Sequence, residues 1–248
     1  MFLFILFILG SSFGSFLTAL FYRLEHQESL VGFSHCDVCK HRLEVIDLVP
    51  IFSYLLNHGR CRYCHKTYSS FSFVNEVFLG TIFPLIFIET RSMLPLLIIV
   101  YLFYLSLEDM HKKMVSSIIL HSLLLIVFIF ALPFSRILIL MPIYFFFYLL
   151  NYNYHFIGEA DIDLFAILFL LIGNHILLII FVASLFALVA YPFIKQVSGK
   201  IPFIPFIYLS YLMFLCIKNS NRYSAIAIFN LQIIGYLRLL HSYVFQFG

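Results

Sequence analysis

Eight runs of apolar residues divide this chain, and they constrain its fold more than any other feature. They lie at 1–22, 71–88, 94–107, 115–132, 137–150, 162–172, 176–193 and 201–216. A helix of about 20 apolar residues spans the roughly 30 Å hydrocarbon core of a bilayer. In lipid every backbone polar group must be satisfied internally, which leaves helices and closed barrels as spanning structures. Barrel strands alternate apolar and polar positions, and residues 118–132 hold no such alternation. Composition agrees: 63% of the 248 residues are hydrophobic and 11% are charged, against roughly 25% charged in a soluble domain. The predicted architecture is all-α, a polytopic membrane protein of about eight transmembrane helices.

Residues 1–22 carry no basic residue ahead of their apolar stretch and no small-residue cleavage site, so they are expected to be a retained first helix rather than a removed signal. Residues 23–70 are polar enough to form a small aqueous insertion before the next span. Residues 71–217 then carry the remaining helices, and 218–248 form a tail. Within that tail, residues 225–247 are apolar but contain Asn230, Gln232, Arg238 and His241. This stretch suits either a ninth span or an interfacial helix.

Threading the spans alternately through a membrane gathers Arg23, Lys40, Arg42, Arg60, Arg62, Lys66, Lys112, Lys113, Lys195 and Lys200 on one side. The other side receives Arg91, Arg136, Lys218 and Arg222. Lys and Arg in short loops favour the cytoplasm, which makes the first side cytoplasmic and the N-terminus external. Asp109 and Asp161 fall on the cytoplasmic side, although neither entered that choice. The formal net charge of +3 is too small to suggest nucleic acid as a partner.

Within the aqueous insertion, Cys36-Asp37-Val38-Cys39 and Cys61-Arg62-Tyr63-Cys64 form two C-x-x-C pairs about twenty residues apart. A tight turn brings the two thiolates of each pair onto one tetrahedral ion. Four thiolates close such a site, so the metal is structural zinc rather than catalytic. An insertion this short buries too little apolar surface to fold alone, and metal binding would supply the missing free energy. Disulfides compete with this reading, but a cytoplasmic position is reducing. His35, His41 and His65 are alternative ligands or solvated loop residues. Cys216 sits in an apolar run and reads as a small buried hydrophobe.

Carboxylates near a membrane interior point to function by default. Glu25, Glu28 and Glu89 can be hydrated at span ends, which leaves Glu76, the pair Glu108-Asp109, and Glu159-Ala160-Asp161-Ile162-Asp163. Two carboxyl groups held close do not ionise together, and that asymmetry is the chemistry of an aspartic peptidase. One activates water while the other hydrogen-bonds the scissile carbonyl. Neither a serine-histidine-aspartate set nor H-E-x-x-H offers another hydrolytic centre. Asp161 and Asp163 point about 200° apart on a helix, so only one can face a given partner. Gly158 favours Asp161. On spacing alone these acids equally suit helix caps or hydrated interface residues.

Taken together, these residues resemble the type IV prepilin peptidases, including the members that process pseudopilins in competence systems. The resemblance begins at Gly14-Ser15-Phe16-Leu17 with Tyr22-Arg23, and runs through the paired cysteines and the block from Asp47 to Leu55. It continues at Gly59-Arg60-Cys61-Arg62-Tyr63-Cys64 and Glu76, then Gly158-Glu159-Ala160-Asp161, which is similar to a G-x-G-D element. It ends at the segment from Ile201 to Phe206. Thr18 stands where the family usually has Asn, Ala160 where it has Gly, Asp163 where it has Lys, and Val115-Ser116 where it has Ile-Pro.

The resemblance implies an eight-helix intramembrane aspartic endopeptidase of the cell (plasma or inner) membrane, multi-pass, with its active site facing the cytoplasm. It would cut the leaders of prepilins or pseudopilins. It implies Asp109 and Asp161 as catalytic residues and Cys36, Cys39, Cys61 and Cys64 as zinc ligands. Where the family's second activity is retained, S-adenosylmethionine would methylate the new N-terminus. The alternative reading is a catalytically silent scaffold of a pilus or DNA-uptake assembly, with the cysteine loop as docking module. A transporter using the acids as proton carriers is a third, which the lack of evident inverted repeats disfavours.

Overall fold

A computed structural model describes residues 1–131, 134–154, 158–191 and 202–219. The described residues are helical with no strand, and every apolar run foreseen from the sequence carries a helix. These are α1 (Phe2–Glu25), α3 (Phe71–Thr90), α4 (Leu94–Lys112), α5 (Ser117–Ala131), α6 (Phe134–Tyr154), α7 (Glu159–Ile172), α8 (Ile176–Ala190) and α9 (Ile204–Asn219). A short helix α2 (Phe52–Leu56) lies in the polar insertion. Five stretches have the length and apolarity to cross a bilayer: Phe2–Glu25, Phe71–Thr90, Leu94–Lys112, Phe134–Tyr152 and Glu159–Ala190. Ser117–Phe130 and Ile204–Lys218 are apolar but shorter. The tail at 225–247, and Lys195, Lys200 and Arg222 of the charge pattern, lie outside the described residues.

The chain divides into two compact units, Met1–Arg91 and Ser92–Gly248. In the first, α1 and α3 pack antiparallel, and the reason is legible in their small residues. A Cβ on Gly14 would lie 2.6 Å from the Asn75 carbonyl oxygen, and one on Gly10 would collide with the Leu79 carbonyl. Gly10 and Gly14 thus form a G-x-x-x-G face that lets two backbones approach, with Gly80 of α3 against Ser11 across the seam. Asn75 then donates to the buried Thr18 hydroxyl at 3.1 Å, while Thr18 donates to the Gly14 carbonyl at 2.7 Å. Polar groups in a lipid-facing pair need such partners, each worth about 0.6 kcal/mol on average.

The polar insertion rests on the start of α3. Tyr54 stacks on Phe73 with ring centroids 4.4 Å apart and meets Tyr68 edge-on at 5.5 Å. Gly59, at φ 66, leaves room for the Tyr54 ring, which would lie 2.9 Å from any Cβ there.

In the second unit α9 is the core. Ile207, Tyr208, Leu209, Tyr211 and Leu212 are all buried, as expected of a helix that is apolar on every face. It packs against α4 and α8, while α7 packs against α5 and α6. The break between α7 and α8 falls at Gly173, whose φ of 64 few side chains adopt. Arg136 reaches from α6 to this break. Its guanidinium donates to the carbonyls of Leu170 at 2.9 Å and Leu171 at 2.8 Å, satisfying groups that a helix end otherwise leaves open.

Candidate functional site

Each cysteine pair is built as the same small hairpin. The N–H of Cys36 donates to the His41 carbonyl at 3.0 Å, and the N–H of Lys40 donates to the Cys36 carbonyl at 2.9 Å. The second pair repeats this: Cys61 to Lys66 at 2.9 Å and His65 to Cys61 at 2.9 Å. Single bridges, His35 to Arg42 and Arg60 to Thr67, close the two turns. Lys40 and His65, each just past its pair, take positive φ of 55 and 56. That turns the backbone back so that both sulfurs of a pair face one point.

The four sulfurs lie within 4.8 Å of one another. Cys36 to Cys64 is 3.9 Å and Cys39 to Cys61 is 4.0 Å. A tetrahedral ion with metal–sulfur bonds of about 2.3 Å needs sulfurs about 3.8 Å apart, so the donor set fits a single metal ion. A disulfide needs about 2.05 Å, and all four thiols are free. The backbone N–H of Cys64 favours the Cys61 thiolate more than burial opposes it, which holds that thiol at about 7. At Cys39 the backbone N–H of His41 also favours the thiolate, yet partial desolvation and the three neighbouring sulfurs push it up to about 11. Two of the candidate histidines have other contacts: His41 meets the Tyr63 ring at a tilt with centroids 3.7 Å apart, and His35 lies 3.9 Å from Glu28.

Asp109 sits on the last turn of α4, half-buried. Its Oδ2 accepts the N–H of Ile204, the first residue of α9, at 3.0 Å. The N–H of Phe203 also faces it. The first N–H groups of a helix have no partner within that helix, so they are natural donors to a carboxylate. The segment Pro202-Phe203-Ile204-Pro205, singled out in the sequence without a stated role, delivers these donors. The neighbouring Glu108 is buried and serves the backbone, accepting the Ser116 N–H at 2.9 Å and the Tyr104 hydroxyl at 3.3 Å. That division of labour between adjacent acids was not visible in the sequence.

Asp161 lies in the first turn of α7, begun by Gly158 in an extended conformation. A Cβ at 158 would lie 3.0 Å from the Asp161 carboxylate, so glycine leaves the carboxylate room. Asp109 and Asp161 lie on different helices, in the last turn of α4 and the first turn of α7. Asp163 turns elsewhere, accepting the Tyr144 hydroxyl at 2.7 Å. Glu76, named by the sequence without a role, is buried on α3 and accepts the Ile51 N–H at 2.7 Å. The structure brings the four sulfurs together, and it places Asp109 in the last turn of α4 and Asp161 in the first turn of α7.

Comparison with known proteins leads the same way. Residues 8–90 match the bacterial peptidase A24 N-terminal domain. The chain is 28% identical over 131 residues to a prepilin leader peptidase/N-methyltransferase of Vibrio cholerae serotype O1, covering 48% of this chain and 52% of that protein. The chain thus spans about half the length of the curated relative it matches. No solved structure matches it significantly. Residues 8–90 are thus similar to the N-terminal domain of bacterial A24 peptidases, and about half of the chain is similar to a prepilin leader peptidase/N-methyltransferase.

Proposed function

We propose that the chain is a membrane-embedded aspartic endopeptidase that removes the leader peptides of type IV prepilins or pseudopilins at the cytoplasmic face of the cell membrane. The observation that carries this reading is Asp109 at the end of the apolar helix α4, whose Oδ2 accepts the N–H that opens α9, in a chain whose residues 8–90 match the bacterial peptidase A24 N-terminal domain. Acids are rare in such segments and mark functional sites by default.

In the proposed reaction one carboxylate takes a proton from water as the water oxygen bonds to the scissile carbonyl carbon. The other, protonated, hydrogen-bonds the carbonyl oxygen as it gains charge. Collapse of that intermediate breaks the carbon–nitrogen bond, and the departing amine takes a proton. Oδ2 of Asp109 is held by the N–H of Ile204, which fixes the carboxylate plane and leaves the other oxygen for water. Cys36, Cys39, Cys61 and Cys64 would hold a structural zinc, which organises the loop and takes no part in hydrolysis. N-methylation of the new terminus with S-adenosylmethionine, the second activity in the relative's name, belongs to the same proposal.

The test is cleavage of a purified pseudopilin in detergent or nanodiscs. Asp109→Asn and Asp161→Asn each abolish cleavage, by at least about a thousandfold. Mass spectrometry of the product's first residue reads the cut position and any added methyl group together. Full cleavage by both variants would overturn the catalytic pair, whereas no cleavage by the wild-type protein would favour the scaffold reading.

A further inference from the structure

The polar insertion carries an apolar surface. Residues 45–56 hold one charged side chain, Asp47, and its own loop occupies it: Oδ2 accepts the Glu44 N–H at 3.3 Å, and Oδ1 accepts the Asn57 side-chain amide at 3.3 Å. The apolar side chains are left outside. In α2, Phe52, Leu55 and Leu56 stand at i, i+3 and i+4 and so share one face, while Tyr54 stacks on Phe73. Phe52 is 61% exposed and Leu56 65%, and Val45 and Ile46 of the turn packed against α2 are exposed as well. A large apolar patch on an otherwise polar insertion marks a partner.

Two bonds to α3 fix this patch at a definite depth. Ile51, just before α2, gives its N–H to Glu76 at 2.7 Å, and the Tyr54 and Phe73 rings lie 4.4 Å apart. The 20 residues of α3 run about 30 Å, the thickness of the hydrocarbon core. Glu76 comes five residues after Phe71, about 8 Å along that helix. Segments that lie in a membrane interface sink about 5–10 Å into the boundary of headgroups and acyl chains. At its other end the insertion is tied to α1, where Arg23 donates to the Leu30 carbonyl at 3.2 Å. The patch thus continues the apolar surface of the α1 and α3 pair. Exposed Arg42 precedes it and exposed Arg60 and Arg62 follow it, with Glu44 paired to Arg62 at 3.4 Å. Cations bracketing an apolar wedge suit anionic headgroups. A depth set by α3 selects lipid over a second protein, which needs none.

We propose that residues 45–56 form a wedge in the membrane surface: Phe52, Leu55 and Leu56, with Val45 and Ile46 beside them, enter the interface of the bilayer that α1 and α3 span, and Arg42, Arg60 and Arg62 lie among its headgroups. The two cysteine hairpins flank this segment in the chain, at 36–39 and 61–64, so the wedge seats them against the membrane. The occupant is lipid, and the proposal stands apart from the peptidase reading.

The chain contains no tryptophan, so Phe52→Trp and Leu56→Trp each give the full-length protein a single fluorophore. Both positions are exposed, and the fold has room for the larger ring. Phe16→Trp, at an exposed position of α1, is the reference for a residue in contact with lipid. Each protein is placed in nanodiscs of phosphatidylethanolamine and phosphatidylglycerol whose acyl chains are either plain or brominated. Bromination cuts the emission of both α2 variants about twofold or more, as it does for Phe16→Trp, whereas acrylamide in the water quenches them weakly. Strong quenching by acrylamide with none by bromine leaves the patch in water and overturns the proposal. Weak quenching by both means that protein covers the patch, either another part of this chain or a second copy, and overturns it equally. None of these outcomes bears on the catalytic pair, which the cleavage assay decides separately.

Discussion

Ile51 has a β-branched side chain at φ 66 and ψ −52, the strained hand of a γ-turn, closed by a 2.7 Å hydrogen bond from the Phe52 N–H to the Pro50 carbonyl. Such a residue persists only when its surroundings hold it. Here the holder is Glu76, whose carboxylate takes the Ile51 N–H at 2.7 Å. A hydrogen bond to a charged group is worth about 1.5–3 kcal/mol. Glu76→Ala is therefore expected to speed hydrogen exchange of the Ile51 amide by tenfold or more. Ile51→Gly should preserve protection, because glycine takes positive φ without a Cβ clash. Equal exchange in wild type and Glu76→Ala would show that the turn stands without the carboxylate. The sequence marked Glu76 as an acid near a span, but its partner is a backbone amide in a remote loop. No side-chain pattern announces a backbone partner.

At the scale of elements, the seam between α1 and α3 depends on side chains that are absent. Gly14→Leu would drive a branched chain into the Asn75 carbonyl, 2.6 Å from where its Cβ would sit. It should lower the thermal midpoint of the detergent-solubilised protein markedly, the cost being about 1–3 kcal/mol or more. Asn75→Leu, which removes one buried hydrogen bond, should cost about 1 kcal/mol or less. A Gly14→Leu protein as stable as wild type would mean that the two helices do not meet along this face.

The cysteine hairpins make a separate element with its own prediction. The purified protein should hold one zinc per chain by elemental analysis, and Cys61→Ser or a strong chelator should release it. Limited proteolysis should then cut within residues 23–70 while the apolar helices survive. Because thiolates rather than thiols bind the metal, acidification should release it as well. The sequence specified this element almost completely. Two C-x-x-C pairs name the four thiols that meet, and the twin hairpins add only the turn geometry that aims them.

For the whole molecule, the distribution of Lys and Arg predicts orientation. A single cysteine placed at Lys113, in a background freed of accessible native cysteines, should react with an impermeant reagent only after the cytoplasmic side is opened. One placed at Arg91 should react from outside in intact cells. The reverse pattern would invert the proposed cytoplasmic site. The apolar runs alone determined that the chain is a stack of helices, since lipid leaves the backbone no other economical way to satisfy its polar groups. The cysteine spacing likewise determined a four-thiol site, because it is a local code. What tertiary structure decided was which acids do what. Glu108 and Asp109 are neighbours in sequence, yet one anchors the Ser116 backbone and the other receives the start of α9. Asp161 and Asp163 are nearly as close, yet one lies against the turn at Gly158 and the other meets Tyr144. Periodicity tells which acids diverge, but only packing supplies the partner each one finds, because those partners lie on helices that meet through contacts distant in the chain.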